Sequence, residues 1–191
     1  MSQTEKDLIR DKARQARASL TAAERQAASQ AACRLLTDTV QPENKVISAY
    51  WPLGDEIDTR PFIETATEAG ATLCLPVVLS RNAPLVFRKW ISEDQLEAGP
   101  HNTRHPSADA PELVPDILIV PLLGFTRQGG RLGYGGGFFD RTLAKLRQNK
   151  EILAIGLAYA VQEVAKLPVD AHDQTLDWVV TECEVINCRS E

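Results

Sequence analysis

The chain of 191 residues lacks several features that would assign it to a class at once. No apolar run approaches the ~18 residues of a membrane span, and no secretory leader opens the sequence. The expected setting is therefore cytoplasmic, with no membrane partner. The four cysteines, Cys33, Cys74, Cys183 and Cys188, include no C-x-x-C pair. That argues against a zinc framework or a disulfide scaffold and for free thiols. His101, His105 and His172 form no H-E-x-x-H, which removes that class of zinc hydrolase. Basic residues are in deficit: 21 Lys and Arg against 26 Asp and Glu give a net charge of −5. A general nucleic-acid binder has the opposite balance, so no nucleic-acid partner is expected. Net charge leaves a local site for a small anion open. Internal repeats and low-complexity tracts are absent as well.

What remains is ordinary for a globular protein, with 43% hydrophobic and 25% charged residues, and the length suits a single domain over 1–191. Helix-forming residues without Pro or Gly predict two opening helices, over 4–20 and 21–36, the second starting at a Thr21–Glu24 capping box. Buried strands are expected at 45–51, 71–78, 85–90, 116–123, 151–160 and 176–182. Residues 59–70 read as a helix capped by Thr59, with Pro61 in its first turn and Gly70 at its end. A last helix follows Gly137, with Phe139, Leu143 and Leu146 on one face. The segment 99–115, rich in Pro, Asn and Ser, reads as a loop. Alternating strands and helices predict an α/β fold. The expected form is a three-layer sandwich around a mixed, largely parallel sheet, with an N-terminal helical arm.

Six of the eleven glycines are gathered in "GGRLGYGGG", residues 129–137, beside Arg127, Arg131 and Arg141. The stretch lies between a buried strand and a helix, where open α/β sheets place ligands. Glycines let main-chain N–H groups approach an anion, a helix N-terminus adds partial positive charge, and guanidinium groups fork onto phosphate or carboxylate. The pattern is neither a Walker loop, since no Lys follows, nor a Rossmann fingerprint, since Phe138 stands where the third Gly belongs. A mobile surface loop or a hairpin is the competing reading, but it leaves the arginines and the Phe138-Phe139 pair unexplained.

Three further features have two readings each. Asp140 is either a first-turn partner of the helix dipole or a Mg²⁺ ligand beside a phosphate cradle. Lys6, Arg10, Arg14 and Arg17 share one helical face; by base rate that face is solvated, and otherwise it brings cations to a polyphosphate. In "YWPLGDEIDT" (50–59), Trp51 can stack on a flat heterocycle and Glu56 can accept from ring N–H groups. The alternative there is a Trp at the core edge and an acidic turn.

Taken together, "DILIVPLLGF" followed by "GGRLGYGGGFFDR" resembles the signature of the 5-formyltetrahydrofolate cyclo-ligase family, also called methenyltetrahydrofolate synthetase. "KDLIR" (6–10), "YWPLGDEIDTRPFI" and "LAYAVQEVAKLPVDAHDQTLDWVVTE" match that family's other segments in order, so the resemblance spans nearly the whole chain. The family pattern often has Asp at Thr126, Lys at Gly136, a Tyr in the Phe138-Phe139 pair and Glu at His105. The resemblance implies a cytoplasmic, monomeric ligase that uses ATP and Mg²⁺ to convert 5-formyltetrahydrofolate to 5,10-methenyltetrahydrofolate. In that mechanism the formyl oxygen attacks the γ-phosphate, N10 closes the ring, and ADP and phosphate leave. ATP would be bound by Lys6, Asp7, Leu8, Ile9 and Arg10 together with Arg131, Leu132, Gly133, Tyr134, Gly135, Gly136, Gly137, Phe138 and Phe139. The reduced folate would meet Trp51, Glu56, Tyr134, Gly135, Gly136, Gly137 and Phe138. Asp140 and Asp173 would hold Mg²⁺, and Arg131 and Tyr134 would serve catalysis. Two other functions compete with this one: a diverged member that binds folate or nucleotide without turnover, and a sugar-phosphate isomerase-like enzyme. The isomerase needs a pair of acid and base carboxylates and no ATP. The presence of both Asp140 and Asp173 favours the ligase.

Overall fold

The computed structural model describes residues 3–91 and 94–189. Two helices open it, α1 (Gln3–Ala18) and α2 (Ala22–Val40). They are followed by β1 (Val46–Ser48), α3 (Arg60–Glu68), β2 (Thr72–Val77) and β3 (Val86–Lys89). A small hairpin, β4 (Glu97–Ala98) and β5 (Arg104–His105), precedes β6 (Ile117–Val120), and a second hairpin, β7 (Gly124–Phe125) and β8 (Arg131–Leu132), follows it. The chain then forms α4 (Phe138–Leu146), β9 (Leu153–Leu157), β10 (Trp178–Val180) and β11 (Val185–Asn187).

Seven strands make the central sheet in the order β11-β10-β9-β6-β1-β2-β3. The five inner strands run parallel, and β3 and β11 are antiparallel edges. The mixed, largely parallel α/β sandwich is thus present. Side chains alternate across the sheet, as the two-residue period of a strand requires. Ile47, Ile117, Ile119 and Ile155 pack on one face with Leu36 of α2 and Phe62 and Ile63 of α3. Leu118, Val120, Ala154 and Val179 pack on the other with Leu143 of α4. Phe62, Leu36 and Leu143 are fully buried, and each removes enough apolar surface from water to contribute roughly 1.5–3 kcal/mol.

The capping box forms: the Thr21 side chain accepts from Glu24 N–H, and the Glu24 carboxylate accepts from Thr21 N–H. Thr59 does not cap α3. It is buried and donates to Tyr50 O at 2.5 Å, while Asp58 accepts from the N–H of Arg60 at 3.0 Å. The 99–115 loop also differs from expectation, since it contains part of the β4–β5 hairpin and a 3₁₀ turn at Pro100–Asn102.

After β1 the chain moves outward through β2 and β3, and from β6 onward it builds the other half of the sheet. The order therefore reverses between β1 and β6, so the loops that leave their carboxyl ends diverge and open a crevice. The loop after β1 carries residues 50–59 and the segment after β6 carries residues 121–137. The loop after neighbouring β9 carries residues 158–177.

Candidate active site

The glycine stretch divides into two parts. Thr126 to Gly130 is the turn of the β7–β8 hairpin. Thr126 N–H donates to Gly130 O, Gly129 N–H to Thr126 O, and Gly130 N–H to the Thr126 hydroxyl at 3.1 Å. Gly129 has φ +83°, and a Cβ there would sit 2.5 Å from Leu176 O, so only glycine fits. These two amides are committed to the turn. The expected cradle of 129–137 is thereby narrowed.

Residues 133–137 are different. Among the described residues, no protein group accepts from the main-chain N–H of any of them. α4 begins at Phe138 without a side-chain cap, so its first-turn N–H groups are open as well, as at any uncapped helix start. The result is a run of unpaired, positively polarised amides over 133–140, at the positive end of a helix dipole. Left-handed φ values at Gly135 (+101°) and Gly137 (+62°) give the run its curvature.

Cations surround this run, though not all those expected. Arg131 is nearly buried and pairs with Asp140 at 2.8 Å, its guanidinium over Phe139. Arg141 donates to Gly136 O at 2.7 Å and lies over Phe138. Arg127 points elsewhere, to Glu184 at 2.7 Å and Glu163 at 3.2 Å. The α1 stripe is not a solvated face except at Arg14, which is exposed and pairs with Asp11. Arg10 is 8% exposed and donates from Nε to Gly133 O at 3.0 Å. Arg17 is 5% exposed and donates to the Tyr134 hydroxyl at 3.0 Å. Lys6 lies between Asp170 (2.6 Å) and Asp173 (3.0 Å). Asp7 pairs with Arg10, and Ile9 is half-buried. Leu8 is 59% exposed, on the helical face opposite Lys6, Arg10 and Arg17, so α1 does not turn it toward the glycine run.

Asp140 Oδ1 accepts the N–H of Gln174, the residue after Asp173, at 3.2 Å. Asp173 Oδ2 accepts from Lys6 and from Asp170 N–H. Among the described residues the second oxygen of each carboxylate has no protein donor, and no group of three or more His, Cys, Asp and Glu gathers as a metal cage. One open oxygen on each carboxylate is a donor set that fits Mg²⁺, which takes one or two carboxylates and completes its shell with phosphate and water.

On the other side of the run, Tyr134 donates its hydroxyl proton to Glu56 Oε1, and Glu56 Oε2 accepts from Leu53 N–H at 2.8 Å. Burial raises the Glu56 carboxyl above its usual value, although Tyr134 and Arg17 oppose the shift. Burial and the adjacent Glu56 charge push the Tyr134 phenol up too, so it stays a proton donor at neutral pH. Trp51 packs edge-on against Trp90, with Arg60 over its ring. Trp51, Glu56 and Tyr159 line a depression of about 450 Å³ whose far wall is Arg25, Ser29 and Gln30 of α2. No motif in the sequence marks this α2 wall, and Arg17 stands out there only as one cation of the α1 stripe. A larger depression of about 670 Å³ lies away from these groups, among Lys89, Gln95 and Pro111 at the β3 edge.

Comparison with known proteins fits this geometry. Residues 2–182 match the model of the 5-formyltetrahydrofolate cyclo-ligase family. The chain belongs to that family. It is 35% identical to the 5-formyltetrahydrofolate cyclo-ligase of Escherichia coli K12, over 90% of this chain and 97% of the relative. It is 31% identical to that of Haemophilus influenzae, over 92% and 97%. The NMR structure of Aquifex aeolicus 5,10-methenyltetrahydrofolate synthetase superposes with a TM-score of 0.81 at 27% identity, covering 97% of this chain and 94% of that one. The protein is accordingly an enzyme of the ligase type that acts on small molecules. Among the described residues, no helix is long and apolar enough to cross a membrane.

Proposed function

We propose that this cyclo-ligase family member converts 5-formyltetrahydrofolate and ATP to 5,10-methenyltetrahydrofolate, ADP and phosphate. The observation that carries the reading is the run of unpaired amides over 133–140, flanked by Arg131 and Arg10 and joined through Tyr134 to the Glu56 depression. In this reading the amides, with Arg131 and the Lys6–Arg10 end of α1, hold the triphosphate. Trp51, Glu56 and residues 134–138 hold the reduced folate, with Glu56 accepting from ring N–H groups.

The formyl oxygen of the folate attacks the γ-phosphorus, and the bond to the β-phosphate oxygen breaks, releasing ADP. N10 then adds to the activated formyl carbon and gives up its proton, which leaves with the phosphate. The C–O bond breaks, and the former formyl oxygen departs within phosphate. Both nucleophiles belong to the substrate, so the protein supplies position and charge rather than a covalent partner. Arg131 answers the charge that moves onto the transferring phosphoryl group, and the amides meet its oxygens without reorganising. The Tyr134 hydroxyl reaches the buried Glu56 carboxylate from a residue that is itself 46% exposed and open to an incoming folate. Asp140 and Asp173 would hold Mg²⁺, which when bound neutralises phosphate charge and orients the terminal phosphate.

The test is direct. Purified protein mixed with 5-formyltetrahydrofolate, ATP and Mg²⁺ should generate the near-ultraviolet absorbance of the methenyl product, with one ADP released per product. Folate and ATP binding with neither absorbance nor ADP would overturn the reading in favour of a sequestering protein.

A further inference from the structure

Arg17 is assigned to no ligand by the reading above, yet it is among the most buried charged residues of the protein, at 5% exposure. Desolvating a guanidinium is costly, and an apolar side chain would dock the last turn of α1 without that cost. The fork of Arg17 spans two separate loops. Nη1 donates to the Tyr134 hydroxyl at 3.0 Å, and Nη2 pairs with Asp55 at 2.6 Å. Each contact adjoins Glu56: Asp55 is its chain neighbour, and Tyr134 donates to its carboxylate. By occupying a lone pair on the phenol oxygen, Arg17 directs the phenol proton to Glu56. Arg10, seven residues earlier on the same face of α1, holds the preceding residue of the glycine run through Gly133 O. The buried Nε of Arg17 has no acceptor among the described residues, which leaves one donor unmet at this seam.

We propose that Arg17 is a positioning residue: by forking between Tyr134 and Asp55 it fixes the glycine run and the Glu56 carboxylate in one arrangement, so that nucleotide and folate bind as a coupled pair. This rests on the reading that residues 133–137 meet ATP and Glu56 meets folate. Lysine retains the charge but offers no planar fork, so Arg17→Lys separates positioning from charge.

The test uses the full-length protein, wild type, R17K, Y134F and the double variant. It measures 5-formyltetrahydrofolate affinity by calorimetry, with and without a non-hydrolysable ATP analogue and Mg²⁺. In the wild type the analogue is expected to tighten folate binding severalfold. In R17K folate affinity should fall about tenfold, the analogue should no longer alter it, and KM for folate should rise more than kcat falls. Melting temperature should change little. R17K and the double variant should lose the same amount, because both changes break one chain of contacts. Wild-type affinity and coupling in R17K, additive losses in the double variant, or no coupling in the wild type would each overturn the role of Arg17. A wild-type protein that binds neither ligand refutes the cyclo-ligase reading itself, and the inference with it. Should R17K not fold, Asp55→Asn, which loosens the same fork from its other end, replaces it with the same expected loss of coupling.

Discussion

Replacing Arg131 by alanine separates catalysis from stability in a way the structure allows to be worked out. Its side chain is 5% exposed, and its Nη2 lies 2.8 Å from Asp140 Oδ1. In catalysis, a preorganised donor aimed at developing charge is worth about 2.7–4 kcal/mol, or roughly 10²–10³ in kcat. In folding, breaking a deeply buried ion pair costs about 3–5 kcal/mol when the partner is stranded. Asp140 is not stranded, since its side chain is 20% exposed and keeps the Gln174 N–H at 3.2 Å. The loss is then closer to that of a charged hydrogen bond, about 1.5–3 kcal/mol. For a chain of this size that lowers Tm by roughly 3–12 °C. The variant should therefore be folded at 25 °C and still lose at least a hundredfold in the saturated rate of methenyl product formation. Circular dichroism melting supplies the stability side. Adding Asp140→Ala also removes the acceptor of the Gln174 N–H, and should return none of the lost Tm and none of the lost rate. A kcat for R131A within threefold of wild type would refute the reasoning.

Other expectations follow from single positions. Gly135→Ala has room for its methyl, 3.5 Å from the Arg10 guanidinium. Its φ of +101° still costs a non-glycine residue about 1–3 kcal/mol, so Tm should fall by roughly 2–12 °C and KM for ATP should rise around tenfold. Thr142→Val removes the oxygen that accepts Leu85 N–H at 2.8 Å and leaves a buried donor unpaired, which should cost about 1–3 kcal/mol in denaturant unfolding. Burial acts to raise the Asp116 carboxyl, but the Lys150 ammonium at 2.5 Å and the Val46 N–H hold it below its usual value. A depressed folded pKa gives stability that is present above the unfolded value, about 3.9, and lost as pH falls below it. Asp116→Asn should flatten the acid limb of the stability–pH curve. Burial pushes the Cys33 and Cys74 thiols up to about 12, so alkylation at pH 8 followed by mass spectrometry should mark the exposed Cys183 and spare those two.

The parallel core was readable because its signal is strong: "DILIVPLL" and "EILAIGLAYA" are continuous apolar runs bounded by polar turns, as a strand covered on both faces must be. β11 escaped because Val185–Asn187 is a three-residue edge strand with only Ile186 buried. The hairpin that competes with the cradle in the sequence is real for one part of the stretch, and its glycines alone do not say which part. Gly129 and Gly130 look the same as Gly135 and Gly136 in sequence, yet the first two close a turn through Thr126 and the others leave their amides open. Asp140 and Asp173 stand out in the sequence as carboxylates, and in the fold Asp140 accepts the N–H of Gln174, the residue after Asp173. Arg17 was visible as part of a charged stripe, but helical spacing reports only which residues share a face. Whether that face meets water or a tyrosine and an aspartate from two distant loops depends on tertiary packing, which the spacing of one helix does not encode.

The central claim is that the unpaired amides of residues 133–140 grip the nucleotide's phosphates. Amide nitrogen–proton NMR spectra recorded as MgATP is added test it most directly. The resonances of Gly133, Tyr134, Gly135, Gly136 and Gly137 should shift strongly with saturation, and those of Gly129 and Gly130 should stay in place. Saturating nucleotide that leaves residues 133–137 unmoved would contradict the account.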